Sequence, residues 1–217
     1  MVCADELINS GQKKIALLIR HAERDPITSM IHATAPLLTE SGKSDALAFG
    51  GNIAVLSPFK LYFSPVKRCE QTADFISLGI KNNNGTVLAQ KVLQKLGGPY
   101  ITGDWLKITT LVEKLGHFTF LRRWFNGELP EGTIMPLRDA ALIMAGVLVD
   151  QLNKETCSII NVTHDWNIMT VLEYFLNIKH EDSGVPPYLD GLCCYLKDNE
   201  VHLIYNGHHI YRGLPLK

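Results

Sequence analysis

The run Ile15-Ala16-Leu17-Leu18-Ile19, which stops abruptly at Arg20-His21, constrains the fold more than any other stretch of the chain. It is continuous rather than alternating, so both faces of the strand it predicts must be covered, as in a parallel α/β sheet. Ser158-Ile159-Ile160-Asn161-Val162 repeats the pattern late in the chain, and Lys60-Leu61-Tyr62-Phe63 is a shorter version. Open α/β sheets keep their ligand crevice at the carboxyl ends of such strands. Polar side chains just past these runs are therefore the candidate site residues.

The first strand end supplies Arg20 and His21, with Arg24 four positions on. Two guanidiniums around a histidine make a poor core and a good receptor for a doubly charged tetrahedral oxyanion, because guanidinium offers planar, paired donors. Nearby cations also hold an imidazole neutral, and the neutral form is the nucleophile. The second run leads through Ser64-Pro65 to Arg68, in the first turns of a helix expected over 66–78 and ended by Gly79. The third ends at Thr163-His164-Asp165 and enters an amphipathic segment over 166–176. His164 and Asp165 have no third histidine or carboxylate in a ligand spacing, which argues against a metal site.

A helix is expected over 42–56, closed by Pro58, and another over 136–153, with Leu137, Ala141, Met144, Leu148 and Leu152 on one face. The polar stretch 81–85 predicts a hairpin or loop before a short strand over 86–89. Residues 192–196 and 201–205 predict an antiparallel hairpin at a sheet edge, with His208-His209 as an exposed tail pair. Strand–helix alternation lapses over 92–131, a stretch that holds Tyr100, Trp105, His117, Phe118 and Trp124. Such an insertion is expected as a lid over the crevice or as a satellite helical pair, and the two are compatible.

At 217 residues and a net charge of −1, one domain over 1–217 is expected, with no general nucleic-acid surface. No apolar run approaches membrane-spanning length. Five cysteines in no ligand-like spacing, Cys193 and Cys194 being adjacent, argue for a reduced compartment and against a disulfide framework. The acidic start Met1-Val2-Cys3-Ala4-Asp5-Glu6 argues against a secretory leader. The expected location is therefore the cytoplasm. Cys69, although beside Arg68, reads as a buried packing thiol rather than a reactive one.

Four segments in order resemble the histidine phosphatase superfamily: Leu18-Ile19-Arg20-His21-Ala22-Glu23-Arg24, Leu38-Thr39-Glu40-Ser41-Gly42, Ser64-Pro65 with Arg68 and Gln71-Thr72-Ala73, and Thr163-His164-Asp165. The resemblance spans about residues 14–196. It implies a three-layer α/β sandwich, a mostly parallel sheet flanked by helices with a helical lid insertion. It also implies a phosphomonoester hydrolase working through a phosphohistidine, with no metal or other cofactor. By the resemblance His21 is the nucleophile, Arg20, Arg24, Arg68 and His164 hold the phosphoryl oxygens, and Asp165 is the proton donor.

Arg24 with Asp25-Pro26, and the His164-Asp165 pair, are similar to the acid phosphatase branch, whereas the Ser64 to Ala73 stretch and the chain length are closer to the mutase-like branch. The mutase-like branch takes its acid from a glutamate in mid-chain. Asp104 and Glu113 occupy that region without a matching motif, which leaves Asp104 as the reserve donor. Ala22 stands where the family has glycine, so a positive φ is not expected there. Glu23 is expected to pair with a neighbouring arginine. The implied substrate is a phosphorylated small molecule or a phosphoprotein. A mutase-like phosphotransferase and a catalytically inactive phosphate-binding module are the alternatives, and the oligomeric state is not legible. Lys95, Lys107, Arg122 and Arg123 are cations that a second anionic group would need, but four in such a stretch are unremarkable.

Overall fold

Ile15, Leu17 and Ile19 pack into one hydrophobic cluster and Ala16 and Leu18 into another, on the opposite side of the sheet. That division is the physical reason for an unbroken apolar run: side chains alternate across a strand, and here both faces are covered. The computed structural model describes residues 14–213; Cys3 and the acidic start over 1–6 lie outside them. The described elements run β1 (Ala16–Arg20), α1 (Glu40–Ile53), β2 (Phe59–Phe63), α2 (Lys67–Asn82), β3 (Val87–Val92), α3 (Trp105–Leu115), α4 (His117–Phe125), α5 (Leu137–Lys154), β4 (Ser158–Thr163), α6 (Asp165–Leu176), α7 (His180–Ser183), β5 (Gly191–Lys197), β6 (Glu200–Tyr205) and β7 (His208–Gly213). None of the described helices is long and apolar enough to cross a membrane.

The sheet order is β3-β2-β4-β1-β5-β6-β7. The first four strands are parallel, while β5, β6 and β7 add antiparallel. One face carries α1 and α2, through Ala46, Phe49, Ile53, Ile76 and Ile80. The other carries α5 and α6, through Met144, Leu148, Ile168 and Leu172. This is a three-layer α/β sandwich, and β1 and β4 lie side by side at its centre with Arg20 opposite Thr163. Two site segments therefore leave the sheet as neighbours.

Three local readings need correction. Gly79 does not end α2, which continues to Asn82. A Cβ there would lie 2.0 Å from the Leu47 carbonyl oxygen, and one on Gly50 2.2 Å from that of Ile76, so these glycines let α1 and α2 cross backbone to backbone. Of the two alternatives for 81–85 the loop holds and the hairpin does not: α2 ends at Asn82, a turn follows, and β3 runs parallel to β2. The C-terminal hairpin is not the edge, and His208-His209 is not a tail pair. Asn206-Gly207, both at positive φ, forms the two-residue turn that suits a hairpin, and it folds β7 onto β6.

The insertion builds a third cluster, in which Tyr100, Ile108, Phe120 and Trp124 pack with Trp166 and Met169 of α6. It is a packed satellite anchored on the start of α6. Cys69, Cys157, Cys193 and Cys194 are buried, and none of them forms a disulfide among the described residues.

The helix crossing gives a test. Gly79→Ala gains about 1 kcal/mol of helix propensity. It also forces a methyl against the α1 backbone, which two helices cannot both accommodate. The clash is expected to win, with a net loss of about 1–3 kcal/mol, read as a lower urea midpoint at unchanged slope.

Candidate active site

His21 follows β1, and its backbone N–H donates to the Thr163 carbonyl at 2.9 Å, which locks the two strand ends together. The residue is 3 % exposed. His21 Nδ1 lies 2.8 Å from the Ala22 carbonyl oxygen, an atom that can only accept, so Nδ1 carries the proton and Nε2 is left with its lone pair. Arg68 Nε donates to that Nε2 at 2.9 Å. Burial first, then the charges of Arg68, His164 and Arg20, push the His21 pKa well below the ordinary imidazole value. Ala22 is not among the residues with positive φ, so the alanine fits without strain.

Arg68 branches further. Its Nη1 donates to the Ala33 carbonyl at 2.8 Å, and its Nη2 lies 3.3 Å from His164 Nδ1. With Nδ1 accepting, His164 Nε2 carries the proton and donates to Ser64 Oγ at 2.8 Å. Burial, then the Arg68 charge, bring the His164 pKa down to about 3. The two imidazole rings meet edge to face with centroids 5.6 Å apart.

The remaining motif residues hold this pair in place. Thr72 Oγ1 accepts from the Ala22 N–H, and Gln71 Oε1 from the Leu38 N–H. Thr39 caps α1 and donates its hydroxyl to Glu23 at 2.7 Å. Glu23 is therefore tied to the α1 cap, and it forms no ion pair with either arginine among the described residues. Gly42 sits against the Glu23 backbone, where a Cβ would come to 2.2 Å from its carbonyl oxygen. Cys69 is wholly buried and its thiol is pushed up to about 12, as expected of an inert packing residue.

His21, Arg24, Arg68, His164 and Asp165 line one cavity of about 530 Å³. Arg20 is not in its wall. Arg20 Nη2 pairs with Asp165 Oδ2 at 3.0 Å, Nη1 donates to the Pro186 carbonyl at 2.8 Å, and the guanidinium stacks over Tyr188 at 4.3 Å. The Nε donors of both Arg20 and Arg24 are buried with no partner among the described residues. An unmet buried donor costs about 1–3 kcal/mol, so these two are suited to an anion that completes them. Asp165 opens α6 and its Oδ1 accepts from the Trp166 N–H at 2.9 Å. Asp104, the reserve donor, is exposed, caps α3 through the Leu106 N–H and does not line the cavity. Glu113 is exposed as well.

Sequence reasoning assigned no site role to Tyr188, which also faces His21 at 5.7 Å, or to Ser64 as the partner of His164. It also missed the segment after Pro26, whose Ile27, Met30 and Ile31 line the cavity. Neither Tyr188 nor this segment has a periodicity that could have signalled it. Elsewhere, Glu173, His180 and Glu181 bring possible metal-ligand atoms within 4.8 Å of one another. Arg122 forks onto both carboxylates there, so each already has a cationic partner.

The family model described as histidine phosphatase superfamily (branch 1) matches residues 16–186. Among solved structures, Bacillus stearothermophilus YhfR aligns with a TM-score of 0.62 at 19% identity, over 90% of this chain and 97% of that one. Phosphoserine phosphatase from Entamoeba histolytica, in complex with 3-phosphoglyceric acid, aligns at 0.59 and 18%, over 92% and 95%. A mycobacterial glucosyl-3-phosphoglycerate phosphatase, in complex with inorganic phosphate, aligns at 0.58 and 15%, over 92% and 94%. At these identities the likeness establishes the fold. No curated protein matches the sequence.

Two imidazoles held neutral make stability depend on acid. Both His21 and His164 have folded pKa values below the unfolded value near 6.5, so the unfolded chain binds more protons and stability falls as pH drops below about 6.5. The expected loss is about 1.4 kcal/mol per pH unit for each histidine, measured by urea unfolding between pH 7 and 5. His164→Asn should remove about half of that slope.

Proposed function

The chain belongs to branch 1 of the histidine phosphatase superfamily, and from that membership we propose that it hydrolyses phosphomonoesters through a phosphohistidine on His21. One observation carries the reading. His21 Nδ1 is pinned to a carbonyl, so the bare Nε2 faces the guanidinium of Arg68 in the cavity that also holds the Asp165 carboxyl. A binding module would have no use for a nucleophile and an acid together.

In this mechanism Arg24 and Arg68 hold the phosphoryl oxygens and stabilise charge on the group in flight, and His164 joins them by turning its Nε2–H from Ser64 Oγ to a phosphoryl oxygen. Arg20 exchanges Asp165 for a phosphoryl oxygen, which frees the carboxyl. As Arg68 Nε passes from His21 Nε2 to a phosphoryl oxygen, the freed Nε2 lone pair attacks phosphorus, the bond to the ester oxygen breaks, and Asp165 in its acid form gives that oxygen a proton. Water then attacks the phosphohistidine while Asp165 takes back a proton, and phosphate leaves with His21 restored. The phosphatase names of the structural neighbours agree with this chemistry.

Rapid quench should trap an acid-labile, base-stable phosphate on His21, and His21→Ala should abolish turnover with its circular dichroism unchanged. Normal turnover in that variant would end the reading. For the proton donor, Asp165→Asn should slow alkyl phosphates by roughly 10²–10⁴-fold and p-nitrophenyl phosphate much less. Asp104→Ala should lose only about 1 kcal/mol of stability, the worth of a helix cap. Leaving-group dependence in the Asp104 variant instead would reassign the acid.

A further inference from the structure

Around the phosphoryl-facing residues, the cavity wall changes character. Ile27, Met30 and Ile31 close one side, and Tyr100, Ile101 and Trp105 of the insertion close another. Thr34 and His117 add neutral polar groups, His117 because burial lowers its pKa. Among the described residues no lysine lines the cavity, and the arginines that do are Arg24 and Arg68. The cations of the insertion face elsewhere: Lys95, Lys107 and Arg123 are exposed, and Arg122 is committed to Glu173 and Glu181. A second anionic group would be taken from water without a counter-charge, and a run of hydroxyls would lose more hydrogen bonds than Thr34 and His117 can return.

We infer that the alcohol half of the substrate is uncharged and apolar, so that the preferred ester is the phosphate of an aliphatic or aromatic alcohol rather than of a sugar, a hydroxy acid or a bisphosphate. This rests on the hydrolase reading for its chemistry and on the walls for its selectivity. A cavity of about 530 Å³ falls within the usual range of sites that enclose a small molecule. The phosphoryl group occupies the cationic corner, and the alcohol displaces water from Trp105, Ile101 and Met30. The gain is binding that is equal in ground and transition states, so it acts on KM rather than kcat.

Primary alkyl phosphates from ethyl to octyl share one leaving-group chemistry and differ only in apolar length. Across them kcat/KM should rise roughly three- to fourfold per added methylene until the cavity is full, through KM, and the longer members should exceed glycerol phosphate and phosphoglycerate. Non-hydrolysable alkylphosphonates, titrated by calorimetry, should show the same dependence in Kd, a measurement that needs no turnover. Ile31 is 51 % exposed at the rim, so Ile31→Arg should fold normally while lowering the octyl preference and improving phosphoglycerate. A flat dependence on chain length in Kd, or tighter binding of a carboxylate-bearing phosphonate, overturns the inference whatever the turnover. A steep dependence in Kd with no turnover of any ester upholds it and sinks the hydrolase reading instead.

Discussion

One guanidinium organises the site. Arg68 is buried, and its planar fork reaches three acceptors at once: His21 Nε2, the Ala33 carbonyl and His164 Nδ1. The two bonds to imidazole each fix a proton. Because Arg68 can only donate, the imidazole nitrogens it faces must be bare, which sets both histidine tautomers. Its charge then helps burial to keep both rings neutral. A lysine would supply the charge but not the three fixed directions.

The position of Arg68 is set by a closed circuit of contacts. β1 delivers Arg20 to Arg24, Glu23 is tied to the Thr39 cap of α1, and α1 crosses α2 at the Gly50 and Gly79 contacts. α2 in turn carries Arg68 back to His21 and Thr72 back to the Ala22 N–H. The distances at the site are thus maintained by helix packing on one face of the sheet. The Arg20–Asp165 pair stands partly outside this circuit, braced by Tyr188 and the Pro186 carbonyl rather than by either helix.

The insertion contributes differently. Its aromatic side chains form a cluster separate from the two that flank the sheet, and they meet α6 at Trp166, next to Asp165. Residues from the insertion and from the segment after Pro26 supply the apolar wall. The histidines and arginines are therefore delivered by the sheet and its helices, whereas the apolar wall comes from segments outside them, one of which also holds Arg68 through the Ala33 carbonyl.

The sequence by itself determined the α/β class, because unbroken apolar runs are stable only when both strand faces are covered. It also determined which residues leave the strand ends, since Arg20-His21 and His164-Asp165 interrupt those runs. Periodicity could not show that Gly79 is a helix contact, because a stop signal and a close crossing leave the same letter. It could not show that Glu23 answers to Thr39, or that Arg20 stands outside the cavity wall, paired to Asp165, while Arg24 and Arg68 line it, because those are contacts between distant segments. Tyr188, and Ile27, Met30 and Ile31, were invisible for the same reason. Local patterning fixes which side of an element is apolar. Only packing decides which charges meet, which imidazole nitrogen keeps its lone pair, and what surrounds the place where the substrate would lie.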